Sequence, residues 1–143
     1  MGYRARSRWE LAERLARKGF AEPVIRAAVD ALEMAGLVDD EAFARAWMRE
    51  RLANNPRGSL VVRWELRRKG VDEEIIQRAI EEEMGVEREL DAALRVAARY
   101  AARPGEDEAG SLRRLAAALR RRGFTFEVID AALARARRER SAS

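Results

Sequence analysis

The chain writes one short phrase three times: "LARKG" at 15–19, "LRRKG" at 66–70 and "LRRRG" at 119–123. Aligned on Gly19, Gly70 and Gly123, the copies lie 51 and 53 residues apart, and the flanking pattern follows in register. Upstream stand Leu11 and Leu15, then Val62 and Leu66, then Leu115 and Leu119. Downstream stand Val24, Ile25 and Val29, then Ile75, Ile76 and Ile80, then Val128, Ile129 and Leu133, with Ala28, Ala79 and Ala132 in matching places. Such self-similarity marks an array of small units, each unable to bury its apolar face alone and completed by its neighbours.

Each copy reads as helix, tight turn, helix. Leucines four apart give the first helix an apolar stripe. The glycine behind the basic residues suits the left-handed conformation that ends a helix, and cations there complement the helix's negative end. Asp72 and Thr125 stand where the second helix needs a cap, and "SRWE" (Ser7 to Glu10) has the form of a capping box.

Two further helices lie between the hairpins. One begins at "DDEAFARAWMRERL" (39–52) and stops before "NNPRG"; the other is "ERELDAALRVAARYAAR" (87–103), ended by Pro104 and Gly105. The acids Asp39, Asp40 and Glu41 read as a helix N-terminus rather than a metal site. A bridging helix plus a hairpin makes a three-helix unit. The expected fold is therefore all-α: an elongated, curved array of tandem three-helix repeats, over residues 1–38, 39–86 and 87–143. Only "MGYRAR" precedes the first hairpin, so its leading helix is expected to be short or missing. The helix at 58–69 is apolar on most sides through Leu60, Val61, Val62, Trp64 and Leu66, which predicts a central position touching its own unit and a neighbour. Trp9, Phe43 and Trp47 read as core. "PGEDEAG" (104–110) reads as a polar linker able to let the third unit move.

Composition narrows the chemistry. Hydrophobic residues make up 48% of the chain and charged residues 38%, which argues against disorder and for wet helical surfaces. With no Cys and no His, disulfides, thiolate or imidazole metal sites and Cys- or His-dependent catalysis are excluded. No Gly-rich phosphate loop, serine triad or carboxylate pair appears, so neither an enzyme nor a cofactor is expected. No apolar run approaches the ~20 residues of a membrane helix, and a cytoplasmic protein without membrane contact is the simplest reading. Net charge is +4, concentrated at one end: residues 111–140 hold nine arginines against Glu127, Asp130 and Glu139.

The repeated residues resemble the RecX family of bacterial regulatory proteins. The resemblance runs through "SRWELAERLARKGF" (7–20), "GLVDDEAFARAWMRERL" (36–52), "ELRRKGVDEEIIQRAI" (65–80) and "LRRRGFTFEVIDAAL" (119–133). It implies three tandem three-helix repeats that bind the RecA–single-stranded DNA filament; a monomer is expected. Such a protein lies along the filament groove and inhibits ATP hydrolysis, strand exchange and co-protease activity, so modulating DNA repair, recombination and the SOS response.

The candidate contacts to filament or DNA are the basic runs: Arg17 and Lys18; Arg67, Arg68 and Lys69; and Arg120, Arg121 and Arg122 with Arg113 and Arg114 before them. Each run is either a cationic contact or a solvated helix end matched to its dipole. Acidic neighbours favour the second reading for Arg17 and Lys18, and the surplus of arginine favours the first for residues 113–122. Trp64, off the Val62–Leu66 stripe, either stacks on a base or partner side chain or packs between repeats. A different class of function, a helix-turn-helix DNA-binding protein, conflicts with Glu73, Glu74 and Glu81 to Glu83 on what would be the recognition helix.

Overall fold

A computed structural model describes residues 6–142; among them are eight α-helices and no β-strand. In chain order these are α1 (Arg8–Arg17), α2 (Glu22–Met34), α3 (Asp40–Ala53), α4 (Ser59–Arg68), α5 (Glu73–Glu83), α6 (Val86–Ala97), α7 (Glu108–Arg121) and α8 (Phe126–Ala142). The expectation that the first repeat's leading helix is short or missing concerns a stretch of which residues 1–5 lie outside those described.

The repeated phrase is a helix stop built from local chemistry. After α4, the Gly70 amide donates to the Arg67 carbonyl at 3.0 Å and the Val71 amide to the Leu66 carbonyl at 3.1 Å. After α7, Gly123 donates to Arg120 at 3.0 Å and Phe124 to Leu119 at 3.2 Å; after α1, Gly19 donates to Ala16 and Phe20 to Leu15. This is the Schellman arrangement, in which a left-handed residue lets two amides reach back over the last turn. The three glycines have φ of +92°, +77° and +84°. The leucine supplies the carbonyl reached by the second amide, the cations face the helix's negative end, and an apolar residue follows the glycine.

Packing sorts the helices into successive units. α1 lies on α2; α3 packs on α5 with α4 against both; α6 packs on α8 with α7 against both; α3 on α6 joins the second group to the third. The second unit has a core of Phe43, Met48, Val62, Leu66, Val71, Ile76 and Met84, and the third one of Val96, Leu115, Leu119, Phe124, Val128 and Ala132, with Leu52 packed against both. The first hairpin is thinner: α1 buries no residue and α2 buries only Val29. Its stability therefore rests on its seam with the second unit.

Helix starts divide. Ser7 accepts from the Glu10 amide at 3.0 Å, Asp39 from Ala42 at 3.0 Å and Thr125 from Val128 at 3.3 Å. Asp72 occupies the cap position of α5 but its side chain makes no cap bond; Glu73 and Glu74 supply the negative charge of that first turn.

Three expectations are corrected. The helix expected over 87–103 ends at Ala97, because the carbonyls beyond it serve other helices: Arg140 donates to Tyr100 and Arg114 to Ala101, each at 2.7 Å. "PGEDEAG" is not a linker between units. It joins α6 to α7 inside the third, Asp107 caps α7 by accepting from Gly110 at 2.7 Å, and Arg114 clamps Glu106 through two bonds of 3.1 Å. Trp9 is not core: it is 40% exposed at the seam between the first two units. Phe43 is core, and Trp47 is half-buried at its edge.

Candidate partner-binding surface

The basic turns are also the joints of the array. Ser7 Oγ approaches the Lys69 carbonyl at 3.5 Å, and 51 residues later the Gly58 amide donates to the Arg122 carbonyl at 2.9 Å. The Arg8 amide donates to Asp40 Oδ1 at 3.0 Å, and its counterpart, the Ser59 amide, donates to Glu89 Oε2 at 3.2 Å. Each of the first two units thus seats the start of its central helix on the glycine turn of the next, with a carboxylate from the next unit's leading helix on the first amide. A methyl group on Gly70 would stand 2.6 Å from Trp9 Cβ, and one on Gly123 would stand 2.6 Å from the Val61 backbone nitrogen. At Gly19 nothing lies within 4 Å. Two of the three glycines therefore end a helix and admit a neighbour; the first only ends a helix.

Sequence reasoning did not single out Glu89. It is 3% exposed and also accepts from the Thr125 amide at 3.3 Å, so one buried carboxylate serves the starts of α4 and α8. Its signal was an acid in line with Ala92, Ala93 and Val96 on the buried face of α6. Burial pushes the Asp40 carboxyl above its ordinary value, against the opposing bond from the Arg8 amide.

The predicted site residues fall into different states. Arg17 and Lys18 are exposed at the open turn after α1 and make no ion pair with a described residue. Arg67 is engaged by Glu73 at 2.7 Å, which raises the guanidinium's pKa and lowers the carboxyl's. Arg68 lies over the Trp64 ring at 4.9 Å, and Lys69 over Trp47 at 4.8 Å with Glu10 at 3.8 Å. Arg114 is a structural clamp, half-buried, on Glu106 and over the Tyr100 ring. Arg122 donates to the Tyr100 hydroxyl at 3.4 Å, and this bond, with Arg121 nearby, lowers the tyrosine's pKa. Arg113, Arg120, Arg137 and Arg138 are exposed and pair with no carboxylate among the described residues. Trp64 is 56% exposed on α4, while Val62 and Leu66 of that helix are fully buried. The central helix therefore touches both its own core and, through Val61, the Gly123 turn, but keeps one open face.

Family models describing the first, second and third three-helix domains of RecX match residues 1–32, 39–80 and 87–133. A "Regulatory protein RecX" of Mycobacterium sp. (strain KMS) is 40% identical, covering 96% of this chain and 79% of its own. The chain belongs to the RecX family. A "Regulatory protein RecX" of Chlorobium limicola is 36% identical, covering 94% of this chain and 83% of its own. The crystal structure of RecX from Lactobacillus salivarius superposes with a TM-score of 0.84 over 94% of this chain and 87% of that one, at 21% identity, a likeness of fold. Against that fold, the RecX repeat in this chain is the unit just described: a leading helix, a central helix seated on the next unit's turn, and a third helix opened by that turn. No described helix is long and apolar enough to cross a membrane.

Proposed function

We propose that this RecX-family chain is a non-enzymatic, monomeric cytoplasmic regulator that binds the RecA–single-stranded DNA filament and inhibits its ATP hydrolysis, strand exchange and co-protease activity. It needs no cofactor. The units at 1–38, 39–86 and 87–143 act as successive contact modules, so that avidity comes from several weak contacts. The observation that carries this reading is the uneven use of arginine. The second unit's cations are largely consumed by internal partners, whereas the third leaves Arg113, Arg120, Arg137 and Arg138 exposed and without a carboxylate partner among the described residues. Arginine offers planar, bidentate donors to phosphate and carboxylate. Cations on a filament ligand lose affinity steeply with added salt when they neutralise phosphates.

The test is charge reversal at Arg120, Arg121 and Arg122. The triple variant is expected to lose inhibition of RecA ATP hydrolysis while keeping wild-type helicity. Because Arg122 also contacts Tyr100 and its carbonyl holds Gly58, the Arg120→Glu/Arg121→Glu pair is the cleaner variant. Wild-type inhibition by that pair would remove the basic turn from the reading. A helix-turn-helix reader of duplex DNA is disfavoured, since the exposed surface of α5 carries Glu73, Glu74, Glu81 and Glu82.

A further inference from the structure

The three tryptophans of the chain, far apart in sequence, come together. Trp9 from α1, Trp47 from α3 and Trp64 from α4 line one groove of about 380 Å³ at the seam of the first two units, with Arg51, Glu65, Arg68 and Lys69. Its aromatic wall is fixed from behind. Glu65 accepts from Trp47 Nε1 at 3.2 Å and from Arg51 Nε at 3.1 Å, and Arg51 lies over the Trp47 ring at 5.1 Å. That network uses the acid of the groove. The remaining cations sit on the rings: Arg68 over Trp64 at 4.9 Å with no carboxylate partner among the described residues, and Lys69 over Trp47 at 4.8 Å with Glu10 at 3.8 Å. Trp64 and Trp9 are 56% and 40% exposed, although burying each would gain more apolar area than burying almost any other side chain.

We infer that this groove is a stacking site for the bases of single-stranded nucleic acid, with Arg68 and Lys69 as the cations that meet the flanking phosphates. This rests partly on the reading above, which brings the chain to a DNA-containing filament, but the site is separate from the third unit's arginines. Exposed indole rings beside Arg68, which pairs with no carboxylate among the described residues, and Lys69, held only at 3.8 Å by Glu10, match the two demands of a single strand, a π-face for each base and positive charge for the backbone. A duplex hides its base faces and does not meet the first demand. An acidic peptide would use the cations but has no need of three indoles, so charge and aromatic content together select the single strand.

Because every tryptophan of the chain lines the groove, intrinsic fluorescence reports its occupancy. The probe is a fifteen-residue oligothymidylate added to the full chain without RecA. Wild type is expected to show quenched emission and salt-sensitive binding. Trp64→Ala should bind about 5- to 140-fold more weakly, the range that loss of one base–aromatic stack produces, while Trp64→Phe, which keeps a π-face, stays within about threefold. Helicity should be unchanged in both, since Trp64 is mostly outside the core. Binding of the oligonucleotide by Trp64→Ala as tightly as by wild type would overturn the inference. So would a Trp64→Ala variant that binds DNA normally yet no longer inhibits RecA, because the groove would then hold protein. Normal quenching with no effect on RecA would leave the groove standing and remove the filament reading instead.

Discussion

Replacing each repeated glycine by alanine separates the two roles assigned to it. At all three positions φ lies between +77° and +92°, so the added Cβ carries a similar backbone cost, about 1–2 kcal/mol. At Gly19 that is the whole cost, because the new methyl group meets nothing within 4 Å. At Gly70 the methyl meets Trp9 Cβ at 2.6 Å, on a helix that buries no residue, so less packing opposes its displacement. At Gly123 it meets the Val61 nitrogen at 2.6 Å and its Cγ2 at 2.3 Å, in a helix anchored by the fully buried Val62 and Leu66. Overpacking there adds about 1–3 kcal/mol, for a total of about 2–5 kcal/mol. The order of damage should be Gly19→Ala, then Gly70→Ala, then Gly123→Ala. Urea unfolding followed by helicity is the assay. With a slope of about 2 kcal/mol per molar, Gly123→Ala should unfold about 0.5–1.5 M below Gly19→Ala. Equal midpoints for those two would show that the glycine only ends a helix, and the seam as described would be wrong.

Leu66→Ala should cost about 2–5 kcal/mol, since the side chain is fully buried in the second core; an unchanged thermal midpoint would contradict that placement. Glu89→Ala should cost about 2–4 kcal/mol by leaving the Ser59 and Thr125 amides without an acceptor, with Glu89→Gln milder in the same thermal assay because it keeps one. The Arg114 guanidinium, with the Arg103 amide, holds the Glu106 carboxyl down to about 2, from an ordinary 4.5. Its contribution to stability is therefore complete above the ordinary value and disappears as pH falls through about 2. Acid titrations of wild type and Glu106→Gln should accordingly differ near neutrality and converge at the acid end of that window.

The repeat was legible because its logic is local. The leucine, cations, glycine and following apolar residue of each copy make one helix stop whose hydrogen bonds span six residues, and Ser7, Asp39 and Thr125 announced their caps in the same way. What escaped is non-local. Trp9 carries the apolar content of a core residue, and only the meeting of α1 with Gly70 leaves it at a seam. Arg114 looked like one more cation of a basic run until the fold set Glu106 and Tyr100 against it. The early end of α6 has the same cause, since nothing within residues 87–103 reveals that arginines of α7 and α8 take the carbonyls of Tyr100 and Ala101. A buried acid such as Glu89 is visible as an anomaly in an apolar stripe, but its partners lie 30 and 36 residues away.

The most direct measurement of the functional claim is single-stranded-DNA-dependent ATP hydrolysis by the cognate RecA, titrated with this protein. Inhibition is expected at well below one molecule per recombinase if each regulator engages a filament rather than a free subunit. Unchanged hydrolysis at equimolar protein, alongside salt-sensitive binding to bare DNA, would contradict the functional claim.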